Sequence, residues 1–179
     1  MFDITQTNGK PLPSKTVLHN GAPEMEKAVK AVIGYCPVDI KVLDASQLSV
    51  PAYSPANQVI YCPEGLDDVQ VFAGLIKETV QARVHNGGKY EGYSREDCEL
   101  DAASVSYMVC RRYGIEADRP DPGDLAALYD GYEPSERRAA LDSLQKMSEQ
   151  IGDRVEREIN PPERTLENST RNNPELQER

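Results

Sequence analysis

At 179 residues with 39% hydrophobic content, the chain has the length of one domain with its own core, and no apolar run approaches the ~18 residues of a membrane span. A net charge of −10 argues against a general nucleic-acid surface, because phosphate binding rests largely on basic side chains that release counterions. The four cysteines form no C-x-x-C pair and the N-terminus lacks the pattern of a secretory signal, so reduced thiols in a cytoplasmic setting are expected.

Residues 1–22 read as a polar lead-in, with Val17 and Leu18 fitting a short strand and His19 a loop. PEMEKAVKAVIGY has the pattern of a helix that starts on Pro23 and stops near Gly34. DIKVLD (39–44) and NQVIYC (57–62) have the β-branched character of strands. SVPAYSPAN between them reads as a connection. The next helix opens at Asp67 with Gln70 three residues on, a capping-box arrangement, and runs to about His85, where NGG stops it.

After the loop KYEGYS, a helix over about 95–113 carries CELDAASVSYMVCRRY. Cys110 on its apolar face reads as a small core residue. DPGDLAALYDG reads as a short helix. Pro134 opens a long one, with Leu141, Leu144, Met147, Ile151, Val155 and Ile159 at helical spacing. The basic pairs Arg111–Arg112 and Arg137–Arg138 fit solvated helix surface. Residues 160–179 are polar and proline-containing and read as a disordered tail. The expected fold class is α+β: a small, about three-stranded sheet packed on a helical layer over residues 23–159, closed by the long last helix.

The helix around residue 78 is the chemically suggestive one. At about 100° per residue, Gly74, Lys77, Glu78, Gln81 and His85 share roughly one quadrant. Val69, Phe72, Ile76 and Val80 flank it on one side, and Val71, Leu75 and Ala82 on the other. A polar quadrant between two apolar stripes suggests the floor of a cleft. Spacing alone equally fits charged residues facing water.

The longer run YSPANQVIYCPEGLDDVQVFAGLIKETVQARVH, followed by ELDAASVSYMVCRRYGIE, resembles the zincin-like metallopeptidase domains of plasmid and conjugative-element proteins, such as the ArdC-type antirestriction proteins. Those domains carry L-x-H-E-x-x-H-A-x-x-H on one helix and E-x-x-A-E-S-V-A-Y-x-V-C on the next. The resemblance covers roughly residues 23–159 and implies a zincin-like fold. It places two histidine ligands at Lys77 and Gln81, the acidic third ligand at Ala103, and the general-base glutamate at Glu78.

Catalytic zinc needs about three N, O or S protein ligands and an open position for water. A protonated lysine has no lone pair and alanine has no donor. The expectation is a vestigial base, Glu78, in a cleft without metal and without cofactor. Glu99, Asp101, His85, Tyr90 and Tyr93 are the further candidate cleft residues. Lys77 is placed to pair with Asp101 or Glu99 in the space of the absent cation.

The functional expectation is a pseudoenzyme of a mobile element or its bacterial host that binds a protein partner, in antirestriction or defence. Two alternatives stay open. One is an active peptidase with atypical ligands, its zinc held by His85, Glu78 and Asp101 with Cys98. The other is a DNA-associated accessory protein or an acidic mimic of nucleic acid.

Overall fold

The computed structural model describes residues 16–87 and 93–161. In chain order these form α1 (Pro23–Tyr35), β1 (Asp39–Leu43), β2 (Ala52–Ser54), β3 (Val59–Pro63), α2 (Asp68–Asn86), α3 (Arg95–Arg112), α4 (Pro122–Leu128) and α5 (Pro134–Ile159). The strands make one mixed sheet in the order β1-β3-β2. β1 runs parallel to β3 with Asp39 opposite Val59, and β2 runs antiparallel to it with Tyr53 opposite Ile60. The architecture is α+β, as expected. No helix among the described residues is long and apolar enough to cross a membrane.

The third strand departs from the sequence reading. Val17 and Leu18 form no strand; Leu18 is buried, and its N–H donates to the Tyr113 carbonyl at 3.0 Å. The strand comes instead from the proline-rich connection, as Ala52–Ser54. Proline is tolerated where one side of a strand needs no ladder bond, which is why Pro51 and Pro55 can bracket it.

Residues 16–22, read as lead-in, are tied to the start of α2. Asp68 N–H donates to Asn20 Oδ1 at 2.9 Å and Gly21 N–H to Asp68 Oδ2 at 3.1 Å. The tail beyond Pro161 lies outside the described residues.

Local chemistry starts α2 where β3 ends. Gly65 adopts φ +81°, the left-handed region that favours glycine, and turns the chain out of the strand. Asp67 then caps the helix: its carboxylate accepts from Gln70 N–H at 2.8 Å, and Gln70 Oε1 accepts from Asp67 N–H at 3.1 Å. These satisfy two amides left over at a helix end.

The core lies between the sheet and the helices. Met25, Ile60, Phe72, Leu75, Ile76, Val105 and Ile151 are all buried, and each large apolar side chain contributes about 1.5–3 kcal/mol by leaving water. α5 closes this core against α1 and α3. Tyr113, buried at the end of α3, donates its hydroxyl to the Gly152 carbonyl of α5 at 2.6 Å.

Candidate functional site: a cleft with its carboxylate clamped

α2 and α3 pack antiparallel, with Ser106 Oγ donating to the Ala73 carbonyl at 2.9 Å at one end and Arg95 meeting Glu78 at the other. Between them and the segment Val50–Pro51 lies a cleft of about 480 Å³. Gly74 sets how closely that segment approaches: a Cβ there would lie 2.6 Å from Pro51 Cγ. Of the polar quadrant of α2, Gly74, Lys77 and Glu78 line this cleft, whereas Gln81 and His85 are not among its lining residues.

Glu78 is 1% exposed. Its carboxylate accepts from Arg95 at both oxygens, Nη2 to Oε1 and Nη1 to Oε2, each at 2.8 Å. Oε2 also accepts from the Tyr53 backbone N–H at 2.7 Å. A buried carboxylate costs several kcal/mol unless it is paired and hydrogen-bonded, and three donors meet that need. The hydrogen bond to Glu78 is the main influence raising the Arg95 pKa. Desolvation opposes it, and the charges of Glu78 and Glu99 add to it.

Lys77 pairs with Glu99, one of the two partners expected for it. Gln81 is buried and fully engaged. Its Oε1 accepts from the Tyr93 hydroxyl at 2.6 Å, and its Nε2 donates to Glu99 Oε2 at 3.1 Å and to the Arg95 carbonyl at 3.3 Å. Burial pushes the Tyr93 phenol up to about 12, with nearby negative groups adding and Arg95 opposing, so it stays a donor. His85 Nδ1 shares a hydrogen bond of 2.8 Å with the Tyr53 hydroxyl, and its ring lies 4.6 Å from that of Tyr93.

Asp101 is not in this cleft. It lies on the far side of α3, where its carboxylate accepts from the Tyr129 hydroxyl at 2.6 Å beside a separate cavity of about 410 Å³. Arg95, Glu99 and Ala103 recur at four-residue intervals and share one face. Asp101 falls about 200° from Glu99 and must point away. Ala103 lines the cleft wall without a polar atom. Tyr90 lies outside the described residues.

A zinc ion does not fit the residues present. Both Glu78 oxygens are held by Arg95, Gln81 Oε1 accepts a hydrogen bond from the Tyr93 hydroxyl, and Lys77 is ion-paired. His85, Glu78, Asp101 and Cys98 are not brought together. Cys98 is buried, and desolvation first, then nearby carboxylates, push its thiol up to about 12. Among the described residues, no group of three or more His, Cys, Asp or Glu is placed to hold a metal ion.

Arg95 and Tyr53 are the site residues that sequence reasoning missed. One signal was available for Arg95. It stands in the first turn of α3, directly after the N-cap Ser94, where the helix dipole disfavours a cation. A base in that position calls for a nearby acid.

No protein-family profile matches the chain, and neither does any curated protein. Among solved structures, the chain is similar to the metal-free crystal structure of the antirestriction ArdC protein from the R388 plasmid. The two share 18% identity with a TM-score of 0.45, over 88% of this chain and 59% of that one. The chain therefore spans less than two thirds of the length of that protein. The functional reading rests on the cleft itself.

Proposed function

We propose that this chain is a zincin-like domain whose catalytic centre has become a structural ion-pair network, and that it works by binding a partner protein in the cleft. The observation that carries this reading is the bidentate clamp of Arg95 on the buried Glu78. A glutamate that deprotonates a bound water needs a free oxygen, and here both oxygens are committed to the same guanidinium. Lys77 and Gln81 stand where the resemblance places metal ligands, and both are engaged in hydrogen-bonded pairs of their own. The setting we propose is antirestriction or defence in the cytoplasm, for a mobile element or its bacterial host. That setting rests on the motif resemblance alone.

Metal content tests the first part. Protein purified without added metal should hold no stoichiometric zinc, and its unfolding midpoint should not move with a chelator. Stoichiometric zinc that disappears in Glu78→Ala or His85→Ala protein would overturn the reading and restore a peptidase with atypical ligands. The setting is tested by plating unmodified phage on a restricting host that expresses the chain. Raised plating supports it, and unchanged plating at confirmed expression rejects it.

A further inference from the structure

The cavity beside Asp101, of about 410 Å³, shares no lining residue with the cleft. It lies between the C-terminal half of α2 and the middle of α5, with Tyr35 of α1 at its border. Small-ligand sites usually enclose about 300–1,000 Å³ between apolar walls and a few fixed polar groups. The walls here include Val80, Val84, Leu144 and Met147, and the two charged residues that line the space are Arg83 and Asp101.

Neither charge is neutralised within the described residues. The ion pairs there use Lys30, Lys77, Arg95, Arg112 and Arg138 as cations, and Glu26, Glu78, Glu99, Asp142 and Asp153 as acids. Arg83 is held in place by neutral groups. Its guanidinium stacks 3.6 Å over the Tyr35 ring, and Nη2 donates to the Tyr35 carbonyl at 2.9 Å. Nε is buried without a partner. The carbonyl end of α1 offsets a fraction of the charge, and the remaining donors of the fork are unmatched. Asp101 accepts from the Tyr129 hydroxyl at Oδ1. Burial raises its pKa, only that hydrogen bond opposes the rise, and no cation contributes. Arg83 and Asp101 therefore stand too far apart to compensate each other across their shared cavity.

We propose that this cavity binds a small ω-amino carboxylate, with the carboxylate on Arg83, the ammonium on Asp101 and the methylene chain along Val80, Val84, Leu144 and Met147. A guanidinium fork matches two carboxylate oxygens. An ammonium has three donors, and Asp101 has an oxygen that Tyr129 does not use. A ligand with both charges on one carbon cannot reach both residues, which is why the chain must separate them. The proposal is independent of the protein-binding role given to the cleft.

The test titrates the full chain with ω-aminobutanoate, ω-aminohexanoate and ω-aminooctanoate, each against the unsubstituted acid and the amine of equal chain length, followed by amide NMR. One zwitterion should bind at least about fivefold more tightly than its matched acid and amine, with shifts centred on Val80–Gly87 and Ala139–Leu144. Asp101→Asn keeps an acceptor for Tyr129. It should bring that zwitterion down to the level of the matched acid and leave the acid itself within about twofold. A zwitterion that binds no better than acid or amine, an advantage that survives Asp101→Asn, shifts centred on the cleft, or no binding at about 10 mM would each overturn the proposal.

Discussion

Arg95 grips Glu78 through two N–H···O bonds of 2.8 Å, although the two residues lie on different helices and 17 positions apart. The fork of a guanidinium matches the two oxygens of a carboxylate, so one side chain both neutralises the buried charge and fixes its direction. The opening of the cleft, the edge of β2 and the start of α3 all meet at this pair.

Removing one partner should therefore be costly. Arg95→Ala leaves a carboxylate that is 1% exposed with only the Tyr53 amide, and is expected to lower stability by about 2–4 kcal/mol. That is below the top of the range for a fully buried pair, because the Arg95 side chain is partly solvated. Arg95→Lys should recover only part of the loss, since a point charge cannot reproduce the fork. Urea unfolding midpoints measure this, and an unchanged Arg95→Ala midpoint would remove the basis for the clamp.

Lys77 should matter far less. Its pair with Glu99 is part-exposed on both sides, so Lys77→Ala is expected to lower stability by less than about 1 kcal/mol. The difference should shrink as salt rises from low ionic strength to about 1 M. A loss as large as that of Arg95→Ala would show that the Lys77–Glu99 pair holds the site as firmly as the Arg95 clamp does.

Asp101 gives the protein a specific pH response. Burial holds its pKa above the ordinary value, with the Tyr129 hydrogen bond acting in the opposite direction. The folded state therefore keeps this proton better than the unfolded chain does. Its contribution to stability falls as pH rises from about 4 through the raised native value, and stays lower above it. Asp101→Asn retains an oxygen for Tyr129 and carries no charge. Its melting temperature relative to the parent should rise on going from pH 4 to pH 7. A difference that is flat or that falls with pH would contradict the burial argument.

The cysteines should differ in reactivity. Burial pushes Cys98 up to about 12 and Cys110 up to about 11, and raises Cys62 as well; all three are buried. Cys36 is the part-exposed one. Because the thiolate is the reactive form, an aromatic disulfide reagent at pH 8 should titrate one thiol rapidly in the folded protein and four in denaturant. Rapid reaction of Cys98 would mean that the base of α3 opens readily.

Much of the fold was legible because its signals are local. The capping box at Asp67 and Gln70, the proline starts at Pro23 and Pro134, and the apolar repeat of α5 depend on neighbours within a few residues, and the helices formed where those signals lay. β2 was not legible. Three residues between prolines have no periodicity of their own, and only pairing with β3 makes them a strand. Asp101 was misplaced for a different reason. Sequence proximity to the third-ligand position stood in for direction, when a shift of two residues on a helix carries a side chain to the opposite face.

The sequence by itself determined which chemistry Lys77, Gln81 and Ala103 are able to perform, because an ammonium, an amide and a methyl group have the same donor limits in any fold. It also put Lys77, Glu78 and Gln81 on one face of one helix, because helical spacing is intrinsic to the backbone. Only the tertiary structure decided what holds Glu78. The clamp joins α2, α3 and β2 across long stretches of chain. Pairings of that range arise from packing, which brings together groups that no local pattern relates.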